Sequence, residues 1–147
     1  LVTLPFDSIN VAPHHSYYLA VRREFLDRNP RLVRDFLDAT TRGYAMVRED
    51  PQAAVRALQP ALCHIDPDVL SASLQAVMPS WYDHEGHWGT ADLDMVRSYT
   101  RWMGEHGHLS VPLDAAMAAI DGGCVSNALL PWSTDPAPAP LSLPDVG

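Results

Sequence analysis

Val33, Phe36, Leu37, Thr40, Tyr44 and Val47 recur at intervals of three and four residues. That repeat lays side chains along one face of an α-helix, and it predicts a helix from Pro30 to about Arg48. The same periodicity predicts a second helix from Pro51 to about Leu58, with Ala54, Val55 and Leu58 inward. A third runs from Pro67 to about Val77, with Val69, Leu70, Ser73, Leu74 and Val77 inward, and stops before Pro79. The starts share one design. Asn29-Pro30, Asp50-Pro51 and Asp66-Pro67 each set a short side-chain acceptor before a proline at the first helical position. The acceptor caps free N–H groups, and proline's missing donor costs nothing there. Gly43 inside the first long helix costs roughly 1 kcal/mol of propensity against alanine, so a close neighbour is expected at that point.

Further on, Leu93, Val96, Tyr99, Trp102 and Met103 form the inward row of a helix from Asp92 to Gly107, a glycine suited to a C-cap. A short helix around Leu113–Ile120 ends at Gly122-Gly123, and a helical turn is expected from Arg22 to Asp27. Leu1–Leu4 and Tyr17–Val21 are β-branched and aromatic enough to be strand candidates. Ser80 to Thr90 reads as a loop with two tryptophans and two histidines, and Val125 to Pro131 as an extended segment. From Trp132 to Gly147 the chain is rich in proline and small residues, and a poorly ordered tail is expected.

Composition narrows the class. The chain has 147 residues, 47% of them hydrophobic and 19% charged, which suits a globular domain with a core. All ten basic residues are arginine and the net charge is −8, so a basic nucleic-acid footprint is absent. No apolar run approaches the ~20 residues of a membrane span. The abrupt start at Leu1-Val2-Thr3-Leu4 leads us to expect a piece of a longer chain. Cys63 and Cys124 allow either one disulfide or two buried thiols.

The wording of the helices carries a resemblance. Glu24 to Leu58, EFLDRNPRLVRDFLDATTRGYAMVREDPQAAVRAL, resembles the central signature of the NMT1/THI5-like solute-binding proteins, in which a helix opening at Asn-Pro is followed by one opening at Asp-Pro. Trp88-Gly89 with Asp92, then Trp102-Met103 and Gly107, is similar to that family's next block. Ser126 to Pro131 (SNALLP) is similar to its closing motif. The resemblance runs in order over nearly all of Leu1 to Pro131 and covers the C-terminal half or so of a family member.

The resemblance implies an α/β fold, a partial periplasmic-binding-protein type 2 fold, mostly helical with about two strands in this fragment. Residues 1–131 would be the C-terminal portion of such a protein and 132–147 its tail. The implied function is non-catalytic solute binding for an ABC importer, at an extracytoplasmic location, with no cofactor. The implied partners are a pyrimidine-like small molecule, an ABC permease, and a missing N-terminal half from the same or another chain. A thiamine pyrimidine precursor is the favoured ligand, with alkanesulfonate and riboflavin receptors as the alternatives. Fungal relatives are thiamine pyrimidine synthases with a cysteine-rich run. Here Val11, Ala12, Pro13, His14 and His15 occupy that region, which argues against this enzyme.

Candidate chemistry concentrates in Phe6–Tyr18, where the family's last ligand-contacting loop would lie. Asp7 can accept from an aminopyrimidine, and His14, His15 and Tyr17 can hydrogen-bond or stack. No arginine sits in this loop to grip an anion bidentately. In Trp81–Trp88, Trp88 is a candidate stacking platform, although packing of the loop on a helix is the blander alternative. His84 and His87 with Asp83 and Glu85 are weak metal spacing, framed by neither helix nor cysteine. G-x-S-x-G, H-E-x-x-H and P-loop motifs are absent.

Overall fold

The structure is a computed structural model that describes residues 11–135. Its helices are α1 (Arg23–Arg28), α2 (Pro30–Glu49), α3 (Pro51–Leu58), α4 (Pro67–Val77), α5 (Leu93–Glu105) and α6 (Leu113–Asp121), with a 3₁₀ turn at Met78–Trp81. Two of the three proline-led starts are built as the sequence predicts. The Asp50 carboxylate accepts from Ala53 N–H at 2.9 Å, and that of Asp66 from Asp68 N–H at 2.8 Å. Asn29 differs. Its amide turns back and donates to the Phe25 carbonyl at 3.0 Å, so it closes α1 and makes no side-chain cap on α2. At α5, Asp92 accepts from both Asp94 and Met95 N–H at 3.0 Å. Gly107 ends that helix in the left-handed region, φ +71°, with His108 N–H returning to the Met103 carbonyl at 2.8 Å.

One expected strand is corrected and the other is not tested. Leu1–Leu4 lies outside the described residues. Tyr17–Val21 is irregular, with Tyr17 91% and Leu19 61% exposed. A strand needs a neighbour to take its backbone hydrogen bonds, and none pairs with it among the described residues. The pairing seen there is one antiparallel bridge, Tyr82 with Trp88. The described chain is therefore mostly helical, which is compatible with a fragment of a larger α/β fold. Val125–Pro131 likewise forms turns rather than an extended run.

Two compact units divide the chain. In the first, residues 11–21 accompany Ala91–Ala128, and α5 packs on α6. Val96, Ile120 and Ala128 are its buried apolar residues. Gly104 lets the helices approach. A Cβ there would stand 3.0 Å from Leu113 Cδ1. Arg97 bridges to Asp121 through Nε and Nη2, both at 3.1 Å.

The second unit comprises Arg22–Thr90 and Leu129–Ser133, with α2 on α1 and α3, and α3 on α4. Val55, Trp88 and Leu130 are its buried residues. Several positions predicted inward are exposed: Phe36 (57%), Val69, Val77 and Leu58. The apolar arc of α2 is wider than the faces that α1 and α3 cover. Gly43 also departs from expectation, because among the described residues nothing lies within 4 Å of where its Cβ would be. Thr40 and Thr41 sit inside α2 by donating to the Phe36 and Leu37 carbonyls, both at 2.8 Å.

Candidate functional site

In the first unit the loop of residues 11–21 is tied to the start and flank of α5. Asp92 N–H donates to His15 Nε2 at 2.9 Å. Nε2 must be unprotonated to accept, so the proton of this imidazole is on Nδ1. His14 Nδ1 lies 3.2 Å from the Ala12 carbonyl, and its ring stacks on Tyr99 with centroids 4.5 Å apart and planes 19° from parallel. The Tyr18 ring meets His15 edge-on at 5.9 Å. Burial, with the Tyr99 charge as a second cause, pushes the Tyr18 phenol up, so it stays a hydrogen-bond donor.

From Tyr99 an aromatic row continues along α5. Tyr99 and Trp102 are parallel within 9° at 5.8 Å, and Trp102 and His106 stack at 4.4 Å. Spacings of three and four residues place these rings one above the other on the helix. His106 Nδ1 lies 2.8 Å from the Trp102 carbonyl, which fixes its ring, and His108 lies 5.7 Å from Trp102. The result is a partly exposed ladder of π-faces from His14 to His108. Flat heteroaromatic groups and cations stack on such faces.

Of the five residues singled out as ligand contacts, His14 and His15 stand together against α5. Tyr17 is beside them in sequence but points to solvent. Asp7 lies outside the described residues. Trp88 belongs to the second unit, where the residue is 9% exposed and its ring packs against Tyr44 at 4.8 Å. Its carbonyl accepts from the Trp132 indole N–H at 3.2 Å, so the residue that heads the expected tail is anchored. Tyr99, Trp102 and Tyr18 are the members of the cluster that the sequence reading missed. The helical period marked Tyr99 and Trp102 as core, and only their spacing relative to His106 hinted at a row.

The second unit has its own organised loop. Asp83 accepts from Glu85 and His87 N–H, both at 2.9 Å, and from the Thr90 hydroxyl at 2.6 Å. Burial pushes the Asp83 carboxyl up. The Thr90 hydroxyl, the His87 and Glu85 N–H groups and the His87 ring outweigh burial and hold it below the usual aspartate range. His87 Nδ1 is 3.3 Å from Glu85 Oε2, and its ring stacks on Trp132 at 4.7 Å. The Arg48 guanidinium sits 4.4 Å over Tyr82, whose hydroxyl donates to the Tyr44 carbonyl at 2.9 Å. Beside this loop an open apolar groove of about 390 Å³ is lined by residues of α2, α3 and α4 with Trp81 and Tyr44.

Among the described residues no group of three or more His, Cys, Asp or Glu side chains converges for a metal. Cys63 and Cys124 are both free and exposed, and partial desolvation of the Cys124 thiol pushes it up. No helix among the described residues is long and apolar enough to cross a membrane.

No curated protein and no solved structure matches the chain. A family match does exist, and it falls on the segment that holds the His14-His15 loop, α1, α2 and the start of α3. It supports a solute-binding or related role in general terms. Residues 1–54 match the model of the NMT1/THI5 like family.

Proposed function

We propose that this chain is the C-terminal portion of a non-catalytic solute receptor that presents a small heteroaromatic, of the aminopyrimidine class, to an ABC permease outside the cytoplasm. The observation that carries the reading is the stack of His14 on Tyr99. It brings the loop of the family-matched segment onto an aromatic row that suits a flat ring. Asp7 would accept from the exocyclic amine, His14 and Trp102 would offer stacking faces, and Tyr18 would donate. The resemblance to a C-terminal half supports a cleft completed by an N-terminal half, from the same or another chain. Closure of the two lobes around the ligand would then signal occupancy.

The test is a thermal-shift and calorimetric screen of the full-length protein against aminopyrimidines, flavins and alkanesulfonates. An aminopyrimidine at 100 times its dissociation constant should add about 2.7 kcal/mol of stability. His14→Ala should weaken binding, and Tyr17→Ala should not. A shift with sulfonates alone would replace the ligand class. Absence of any shift with heteroaromatics, or one untouched by His14→Ala and Trp102→Ala, would overturn the reading. Turnover of an aminopyrimidine or iron bound by the purified protein would count against a non-catalytic role.

A further inference from the structure

α2 carries a second apolar row. Leu32, Phe36, Ala39, Gly43 and Met46 follow one another at steps of four, three, four and three, the spacing of a coiled-coil seam. All five are exposed, Leu32 and Phe36 at 57% and Met46 at 69%. The row lies one residue, about 100°, around the helix from Val33, Leu37, Thr40, Tyr44 and Val47, which are all half-buried. A helix with one neighbouring layer needs one apolar stripe, and its outer face is ordinarily polar. Here the outer stripe is apolar over about four turns and its large side chains meet water.

The pattern of size and charge along the stripe is self-complementary. We infer that the outer face of α2 is a self-association surface, on which the α2 helices of two copies of this chain pack antiparallel. In that register Leu32 lies opposite Gly43 of the second copy and Phe36 opposite Ala39, so each large side chain meets a small one. The two-fold axis repeats both pairs. Gly43 has open space around it for such a side chain, which gives a helix-interior glycine a use. The charged shoulder fits the same register. Asp35 and Arg42 stand seven residues apart beside the seam, and the antiparallel arrangement sets Asp35 of one copy against Arg42 of the other. A parallel pairing fails on both counts. It sets Phe36 on Phe36 and Gly43 on Gly43, and it turns the charged shoulder toward Val33, Thr40 and Val47. Asp35 and Arg42 now hold only exposed contacts within α2, to Arg31 at 3.9 Å and to Asp38, which are of little worth in water. The inference rests on α2 alone and stands apart from the receptor reading.

Sedimentation velocity on the full chain tests it. The expected species is a dimer of the 16.2 kDa chain. Asp35→Arg should weaken association roughly tenfold or more, and the added reversal Arg42→Asp should restore it. Gly43→Leu should abolish the dimer while circular dichroism keeps its helical signal, because nothing among the described residues occupies that space. A chain that stays monomeric to about 100 μM, beyond a micromolar association, overturns the inference. So does a dimer indifferent to Gly43→Leu, or one that the double reversal fails to rescue. A longer form whose additional residues cover the stripe would be monomeric and would count the same way. If Gly43→Leu lost its fold, the surface charge pair would still decide.

Discussion

The side chain of Asn127 grips both backbone groups of Ala91. Its Oδ1 accepts from Ala91 N–H at 2.8 Å, and its Nδ2 donates to the Ala91 carbonyl at 3.0 Å. One amide therefore does for the residue before the α5 cap what a neighbouring strand would do. Asn127→Ala leaves a half-buried N–H and C=O unpaired and should cost about 1–3 kcal/mol. Asn127→Asp should cost at least as much, since its carboxylate would face the Ala91 carbonyl with no proton between them. Urea denaturation of the two variants checks the order. Wild-type stability in Asn127→Asp would refute it.

Asp83 should make the second unit sensitive to acid. Its folded carboxyl titrates below the unfolded value, so the stability it contributes is present above the ordinary aspartate range and is lost as pH falls through the folded value. Asp83→Asn keeps one acceptor but loses the charge, and should cost on the order of 1–2 kcal/mol at neutral pH. Its loss on acidification should be smaller than the wild type's. Equilibrium unfolding from pH 7 down to about 2 reads both effects.

His15 holds its loop through an acceptor. His15→Phe keeps a ring against Tyr18 and removes the acceptor for Asp92 N–H, so it should cost about 1 kcal/mol. It should also speed hydrogen exchange at the Asp92 amide. An Asp92 amide equally protected in both proteins would show that the bond does not form in solution.

Gly104 sets the spacing of α5 and α6. Alanine there gains roughly 1 kcal/mol of helix propensity, but its methyl would press on Leu113, with contacts of 3.0, 3.3 and 3.4 Å. Gly104→Ala should therefore be neutral or destabilising by about 1 kcal/mol. In a Leu113→Ala background the obstruction is gone and the same change should stabilise. A double-mutant cycle measures the coupling, and additive effects would exclude a steric cause.

Helix ends were legible where the capping residue has only one role to play. Asp50-Pro51, Asp66-Pro67 and Gly107 appear as the sequence reading placed them. Asn29 was not, because an amide offers a donor as well as an acceptor, and here the donor found the preceding helix. Tyr17–Val21 has strand composition, but strand formation depends on a neighbour that composition cannot supply. The loop holding His14 and His15 was legible as a candidate site. The ring it stacks on was not, since Tyr99 is 85 positions away and shares the helical period of a core residue. Exposure of Phe36 was hidden for the same reason, because periodicity marks an apolar face and does not say what covers it.

The bond from Trp132 to the Trp88 carbonyl fixes an order of events during synthesis. Arg22–Thr90 leave the ribosome first, yet their unit also needs Leu129–Ser133, and all of Ala91–Ala128 is made in between. At ordinary elongation rates that interval is about 2–8 seconds. Throughout it, the Trp88 backbone and the Leu130 site lack their closing segment. The nascent chain passes through a period in which the apolar site around Trp88 is made but unsealed, and a chaperone that binds aromatic segments would find its target there.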